Sequence, residues 1–430
     1  MNRTLLSSIL ISVIAACAGS ATAQDKEGFE SPPDQTPAAS LSAGQIQGDG
    51  FHLQDPVHSD GLMHHYIVES RFGEFPAYGQ AALTVRLHEI AALQTLSRTS
   101  ETDVVLKSVT RGAGEDVQTV AKVVRNPVKT VIGIPRGISH LLGGYRVEAQ
   151  EATHGAAAAI GGSHSQSVTG SRVAEQTEKF AKQYADHYLG LSTAERRWYE
   201  KLGIDPYTNN EVLRKAVSRL AKIDASVSLG MRFAPVGVPF AGEARRALDT
   251  IYNESPAVLR KRRRDALASF GLRPEEIAKF ENTLLLNPTR QTLLVAAVQS
   301  LQGVEGRDEL LRHAIGVTSD SEIEVFLQCT NLLVRFHARQ PVARILAGLR
   351  VPTAQLADGR VIVFGSFDAI YWTEDVAGYE KALDTATSKM PRREVWLAGS
   401  VSALAREQLE HLGWIVHDHA DQALPEKPAD

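Results

Sequence analysis

The C-terminal part of the chain alternates between short apolar runs and amphipathic segments, and this alternation constrains the fold more than any other feature. Three runs have the length and apolar content of buried strands: GRVIVFGSF, REVWLAG and WIVHDH. Between them, Glu374 to Lys389 and Ser402 to Leu412 predict helices. Because strand, helix, strand connections of this kind form parallel pairs, residues 351–421 are predicted to form a small α/β (βαβ) unit with its strands in one sheet.

Residues 173–350 carry the start and stop signals of a helical domain. A hydroxyl and a carboxylate three residues apart form a capping box, which satisfies free backbone N–H groups at a helix start. This pattern occurs three times: Ser192 to Glu195, Thr208 to Glu211 and Ser319 to Glu322. Ser255-Pro256 opens a further helix, and Gly271 ends it.

Residues 51–150 begin with a hairpin pattern. HHYIVES from His64 and FPAYGQAALTVRL flank the turn RFGE, and the second strand is predicted to run into a helix near Leu87. Strand alternation places His64, Tyr66 and Val68 on one face. The predicted fold class is therefore α+β and predominantly α-helical, with an N-terminal β-hairpin, a large helical middle and a small C-terminal α/β unit.

The first residues have the pattern of an export signal. Arg3 precedes an uncharged apolar run from Leu5 to Ala16, and Ala21-Thr-Ala23 suits signal peptidase, so residues 1–23 are predicted to be a signal peptide. Alternatively, Ile14-Ala-Ala-Cys17 resembles the lipobox of bacterial lipoproteins, which would remove residues 1–16 and leave a lipidated Cys17. Either way the protein is expected to be exported. It is then predicted to be periplasmic, or membrane-anchored if Cys17 is lipidated.

Three segments are predicted to be irregular from composition. Residues 24–50 are rich in Pro, Ser, Gly and Asp and read as a flexible linker, residues 151–172 form an Ala/Gly/Ser-rich loop, and residues 422–430 form a polar tail. After cleavage at Ala23, Cys329 is the only cysteine, which rules out an intrachain disulfide. A net charge of −4 lacks the basic excess of nucleic-acid-binding proteins, so no nucleic-acid partner is expected.

The stretch NPVKTVIGIPRGISHLLGGY, Asn126 to Tyr145, is amphipathic at helical spacing, with a predicted kink at Pro135. The ordinary interpretation packs its apolar half against the helical domain. The alternative is an interfacial helix on a membrane, because its polar half is basic without any acid. The candidate membrane-contact residues are Lys129, Ile132, Ile134, Arg136, Ile138, His140, Leu141 and Leu142. A glycine-rich ligand loop is a third interpretation, although no phosphate-binding spacing occurs.

Two sets of residues could carry chemistry. The N-terminal histidines are His52, His58, His64, His65 and His88. Without HExxH or paired CxxC spacing they are predicted to be solvated or hydrogen-bonded, and no metal site is assigned. The second set follows the C-terminal strands, where open α/β sheets place ligands: Ser366, Asp368, Ser400, Ser402, His417, Asp418 and His419. Since GxSxG is missing, Ser400 and Ser402 read better as helix N-caps than as nucleophiles.

Two further features have structural explanations. The run RKRRR, Arg260 to Arg264, spreads around a helix and reads as a solvated face. Cys329 lies in an apolar helix and is predicted to be a small core residue.

The sequence as a whole favours an exported, non-enzymatic binding or scaffold protein of a bacterial cell envelope, with a membrane surface or an envelope protein as partner. The alternative is a periplasmic hydrolase or metalloenzyme using the C-terminal strand ends or the N-terminal histidines. No cofactor is predicted, and the catalytic residues, substrate and oligomeric state are not indicated.

Overall fold

The computed structural model describes residues 28–97, 191–223 and 241–424 of the chain. These residues form a mixed, predominantly helical α+β protein, which confirms the predicted fold class. The strands are β1 (Gln47–Gly48), β2 (Phe51–Leu53), β3 (His58–Ser59), β4 (His64–Ser70), β5 (Gly73–Tyr78), β6 (Arg344–Ile345), β7 (Thr353–Gln355), β8 (Val361–Gly365), β9 (Ala369–Ile370), β10 (Arg393–Leu397), β11 (Ser400–Val401) and β12 (Trp414–His417).

The helices surround two main sheets. They are α1 (Ala43–Ile46), α2 (Gln80–Ser97), α3 (Thr193–Leu202), α4 (Glu211–Ile223), α5 (Ala241–Asn253), α6 (Pro256–Ser269), α7 (Pro274–Asn282), α8 (Pro288–Ser300), α9 (Glu309–Ile315), α10 (Asp320–His337), α11 (Glu374–Thr387), α12 (Ala403–His411) and α13 (Ala420–Ala423), with a 3₁₀ turn at Pro37–Ala39. Within the described ranges, every helix is too short or too polar to cross a bilayer.

The N-terminal sheet is antiparallel, and β4 pairs with β2, β3 and β5. Burial alternates along β4, so His64, Tyr66 and Val68 share the buried face, as predicted. The following segment is a strand and then a helix, as predicted, but helix α2 begins at Gln80 instead of near Leu87. Gly79, at φ 89°, ends the strand, and the carboxylate of Asp368 accepts the N–H of Gln80. This helix start depends on a residue 288 positions away, which no local pattern contains.

The prediction of a flexible linker over residues 24–50 is wrong for residues 28–50, which contact the rest of the protein. Glu30 accepts a hydrogen bond from the backbone N–H of Trp372, and Gln35 exchanges two backbone hydrogen bonds with Val57. Leu41 is buried. These contacts depend mostly on backbone groups and a few side chains, which a low apolar content does not reveal.

The helix caps of the middle region agree in part with the sequence. Ser192 accepts the N–H of Glu195, and Ser319 accepts that of Glu322. Thr208 is not the cap of α4, because the side chain of Asn210 accepts the N–H of Leu213 instead. The hydroxyl of Thr208 is used elsewhere, as a donor to the buried carboxylate of Glu89.

The C-terminal sheet confirms the βαβ prediction. Its strand order is β12-β10-β8-β7-β6, and β8, β10 and β12 are parallel, with Arg393 opposite both Val361 and Trp414. Helices α11 and α12 connect these parallel strands. Two antiparallel strands that precede them, β7 and β6, extend the same sheet.

The buried apolar residues fall into two separate clusters. The first core joins the N-terminal sheet to α2, α3 and α4, and the second core joins α7 to α10 and the C-terminal sheet. Helix α5 contributes Ile251 to the first core and Ala247 to the second, while α6 contributes Leu259 and Leu267 in the same way. These two helices therefore connect the cores on one side of the molecule.

Candidate ligand-binding site

A cavity of about 470 Å³ lies between the two cores. Helix α2 of the first core and helix α10 of the second core both line it. The chain that follows β8 and β10 forms the floor, and the loop 203–209 together with the start of α8 closes one end. A cavity of this size and mixed lining is typical of small-molecule sites.

The floor is built from the carboxyl ends of parallel strands. Ser366, Phe367 and Asp368 follow β8, and Ala398 and Gly399 follow β10. A side chain at Gly399 would place its Cβ 2.0 Å from the carbonyl oxygen of Asp368, so only glycine allows the two strand ends to approach this closely. Ser366 and Asp368, which the sequence predicts at this edge of the sheet, both line the cavity floor.

Asp368 connects three parts of the molecule. Its Oδ2 accepts the backbone N–H of His64 at 2.9 Å, and its Oδ1 accepts that of Gln80 at 3.0 Å. Its own N–H donates to the carbonyl of Leu62. Burial raises the pKa of this carboxyl, which is only 11% exposed, although the two N–H groups act in the opposite direction. Asp368 therefore joins β4 and α2 to the C-terminal sheet at the cavity floor.

A second buried carboxylate, Asp60, supports the same corner. It accepts two backbone N–H groups, from Leu62 and Met63, and the hydroxyl of Tyr78 at 2.6 Å. His65 Nε2 lies 3.1 Å from its Oδ2. Burial acts to raise the pKa of Asp60, but these hydrogen bonds outweigh it and lower the pKa below its ordinary value. Because Tyr78 lines the cavity, this network fixes a lining side chain.

One end of the cavity contains a network of charges from the two cores. On the second-core side, Arg290 donates to Asp320 at 2.6 Å and to Glu324 at 2.9 Å, and its side chain is 12% exposed. On the first-core side, Arg86 donates to the buried Glu89 at 2.7 Å. Burial alone would lower the pKa of both guanidinium groups, but these carboxylates raise it. All of these charges have protein partners.

Glu89 also anchors the loop at this end of the cavity. Besides Arg86, its carboxylate accepts the amide of Asn210 at 3.0 Å and the hydroxyl of Thr208. Arg86 in turn donates to the amide oxygen of Asn209 at 2.7 Å. A carboxylate with three protein donors is held in place by its partners, which favours a structural role.

Polar contacts also cross from one core to the other beside the cavity. Thr289 at the start of α8 donates to Asp205 at 2.6 Å, and Asn287 donates to the carbonyl of Tyr207 at 3.3 Å. Burial raises the pKa of Asp205, while the hydrogen bonds from Thr289 and from the N–H of Tyr207 lower it by less. The cores thus meet at this end through hydrogen bonds.

The other C-terminal candidates are not among the residues that line the cavity. Ser402 caps α12, as predicted, by accepting the N–H of Ala405, and its hydroxyl also contacts Glu30. Ser400 does not cap a helix, because it belongs to strand β11. The last three candidates, His417, Asp418 and His419, do not lie beside Ser400. His417 Nε2 lies 3.1 Å from Glu394, Asp418 pairs with Arg406, and His419, at φ 51°, precedes α13.

The five N-terminal histidines occupy separate places. His52 lies 3.2 Å from Glu69, His58 lies 2.7 Å from Asp34 and His65 lies 3.1 Å from Asp60. His64 is buried beside Asp368 and Tyr66, and His88 lines the cavity. Within residues 28–97, 191–223 and 241–424, no three side chains of the His, Cys, Asp and Glu types converge as metal ligands would.

Cys329 and the basic run both have roles that the fold explains. Burial raises the pKa of the Cys329 thiol to about 12, and its sulfur accepts the backbone N–H of Ser366 at 3.2 Å. In the basic run, Lys261, Arg262 and Arg264 are exposed and form ion pairs, as expected of a solvated face. Arg263 is the exception, because it is buried and points toward Thr292.

Comparison with protein-family models, curated proteins and solved structures gave no significant match.

The residues that line the charged end of the cavity were not predicted from the sequence to form a site. A signal was present, because Glu89 lies in the apolar segment LHEIAAL at a position that helical spacing places among buried residues. A charged residue at such a position needs a partner, although its partner cannot be identified from the local sequence.

The membrane-contact candidates and the lipidation candidate, Cys17, lie outside the described residues. The same is true of the expected signal peptide, of residues 151–172 and of most of the polar tail. For these segments the sequence predictions stay predictions.

Proposed function

We propose that this protein is an exported, non-enzymatic binding protein of a bacterial cell envelope, and that it holds a small ligand in the cavity between its two cores. The observation that carries this proposal is the position of the cavity at the carboxyl ends of β8 and β10. Open α/β sheets place their ligands at this edge, where backbone and short side chains from neighbouring strands converge.

The pairing of the lining groups supports binding over catalysis. A general acid, base or nucleophile must be able to reach a substrate, and it is usually paired with a second group that activates it. In the cavity, the carboxylates of Asp368 and Glu89 are occupied by protein donors, and no histidine of the described ranges bonds to the Ser366 hydroxyl. These residues are therefore better suited to shape a site than to transfer protons.

The rival proposal is a periplasmic hydrolase that uses Ser366 and Asp368, which do lie together on the cavity floor. It requires a base for Ser366 that the described residues do not provide. Screening the purified protein with chromogenic ester, phosphate and glycoside substrates tests this rival. Turnover that is lost in Ser366→Ala would replace the binding proposal.

An extract experiment tests ligand binding directly. The signal-free protein is dialysed against a small-molecule extract of envelope material, and mass spectrometry compares the two compartments. We expect a compound to be enriched by the wild-type protein and by Val258→Trp, which changes an exposed residue outside the cavity. Val85→Trp, which fills the cavity from α2, should lose it. No enrichment, or equal enrichment by both variants, would refute the proposal.

Membrane contact is a separate part of the proposal, and its support is the basic amphipathic sequence from Asn126 to Tyr145. Flotation with vesicles of phosphatidylglycerol and phosphatidylcholine measures it. Each cation near an anionic surface contributes about 1 kcal/mol. Lys129→Glu combined with Arg136→Glu should therefore weaken binding strongly at low salt, whereas the control Lys279→Glu with Lys381→Glu should not. Failure of the signal-free protein to bind these vesicles would refute the proposal of membrane contact.

A further inference from the structure

We propose that the ligand of the cavity is a neutral polyhydroxylated molecule, a monosaccharide or disaccharide, recognised by planar polar side chains on α10 and the loop 203–209. This inference rests on the proposed binding function and adds its ligand class. It follows from three properties of the lining: its charges are paired, some of its hydrogen-bonding atoms are not, and apolar side chains lie between them.

The first property is the internal pairing of charge. Arg290 faces Asp320 and Glu324, and Arg86 faces Glu89, all within the cavity lining. An anionic ligand at this end would approach three carboxylates that share two arginines, and it would have to displace one of them and leave it with an unpaired charge in a partly buried place, which is costly. A neutral ligand leaves the ion pairs intact.

The second property is the set of atoms left over after this pairing. Asp320 and Glu324 each use one carboxylate oxygen for Arg290, and among the described residues no partner binds the second oxygen of either. Asn209 accepts from Arg86 through its oxygen, which leaves its amide N–H groups as donors. Gln328, one turn beyond Glu324 on α10, lines the cavity, and its amide forms no hydrogen bond with another described residue.

These atoms combine acceptors and donors on planar groups. A hydroxyl group donates one hydrogen bond and accepts others, so a polyol can satisfy carboxylate oxygens and amide N–H groups together. An ammonium group only donates, and a phosphate or carboxylate only accepts. Each of those would satisfy one half of the set and leave the other half without a partner on the ligand.

The third property is the apolar part of the lining. Val85 on α2, Leu332 on α10 and Phe367 on the floor lie in the same cavity as these polar atoms. Sugar rings present C–H groups on their faces and hydroxyl groups on their edges, which corresponds to an apolar surface bordered by polar side chains. Such a combination also excludes water around the hydrogen bonds, which strengthens them.

An array of neutral monosaccharides and disaccharides, probed with the labelled signal-free protein, tests the ligand class. Calorimetry then measures the best saccharide beside two charged probes, spermidine and citrate, at low and high salt. We expect a saccharide to bind with an affinity that salt does not change, because no net charge is neutralised. Gln328→Ala should weaken it about 2- to 12-fold, the value of one neutral hydrogen bond. Gln299→Ala, an exposed glutamine outside the cavity, should not.

The possible outcomes separate the ligand class from the binding function. If spermidine or citrate binds, no saccharide does, and Val85→Trp abolishes that binding, the saccharide proposal is overturned and the cavity remains a ligand site. If no saccharide binds but the extract experiment still enriches a compound, the ligand class is again wrong. If a saccharide binds equally well to Val85→Trp, its site is not this cavity, and the inference fails.

Discussion

The two cores of this protein are internally apolar, but they meet beside the cavity through polar contacts. In the second core, Phe336 packs against Phe364 and Trp396 with ring centroids 5.4 and 5.0 Å apart. Beside the cavity, Thr289 donates to Asp205 from one core to the other. Close-packed apolar groups leave no space for a ligand, whereas polar side chains between two such bodies can border a cavity without losing their partners. The difference explains why the cavity lies at the boundary of the cores.

The largest effect is expected from a change within a core. Phe336→Ala removes an aromatic ring that is 2% exposed, so it should reduce the free energy of unfolding by about 3–5 kcal/mol. Urea unfolding followed by circular dichroism measures this loss. Leu93→Ala makes the corresponding change in the first core, where about 2–5 kcal/mol is expected. A loss below about 1 kcal/mol in either variant would show that the corresponding core is not packed as described.

The next effect concerns the charged end of the cavity. Glu89→Ala leaves Arg86 and two neutral donors without their acceptor, and a hydrogen-bonded buried charge contributes about 1.5–3 kcal/mol. We expect the free energy of unfolding to fall by about 2–3 kcal/mol. The matched control is Glu407→Ala, an exposed glutamate on α12, which should change it by less than about 0.5 kcal/mol. Equal effects of the two variants would mean that Glu89 has no structural role.

The C-terminal unit shows how much of this fold the sequence predicts. Its strands and helices are short, contiguous and separated by turns, so each element is specified by its own residues. The apolar run VIVF and the cap Ser402 are both visible without any knowledge of the neighbours. The strand, helix, strand connections then make the strands parallel, so the residues that follow them, including Ser366 and Asp368, lie at one edge of the sheet.

The site itself could be predicted only in part, because its residues come from segments far apart in the chain. Arg86 and Asn209 are 123 positions apart, and Asp205 and Thr289 are 84 apart. No local spacing relates such pairs, and the apolar pattern that predicts their helices is the same whether they meet or not. The start of α2 shows the same limit, because its first N–H is bound by Asp368.

A smaller effect is expected from the contact between the cores. Thr289→Val keeps the size of the side chain and removes its hydroxyl, so Asp205 loses one donor. A hydrogen bond of this kind contributes about 1–2 kcal/mol. Urea unfolding should show this loss, while Thr385→Val, an exposed threonine on α11, should leave the unfolding free energy nearly unchanged. A loss as large as that of Phe336→Ala would mean that the contact is as rigidly packed as a core.

The smallest effect is expected from acid, through Asp60. Its pKa in the folded protein is below the ordinary value of about 3.9, so the folded state binds a proton less readily than the unfolded state. Asp60 therefore stabilises the fold above about pH 4, and this contribution is lost as the pH falls through the lower, folded pKa. The difference in unfolding free energy between wild type and Asp60→Asn should shrink on acidification. A difference that grows would mean that burial determines this pKa instead.

The central claim is that the space between α2 and α10 is a cavity bordered by side chains of both cores, and the unfolding free energy of Val85→Trp tests it most directly. If the cavity is present, the larger side chain enters it, and the variant should be as stable as Val258→Trp within about 1 kcal/mol. If α2 and α10 instead pack closely, the added ring overpacks their interface at a cost of about 1–3 kcal/mol or more. A loss of 2 kcal/mol or more relative to Val258→Trp, roughly the middle of that range, would contradict the account.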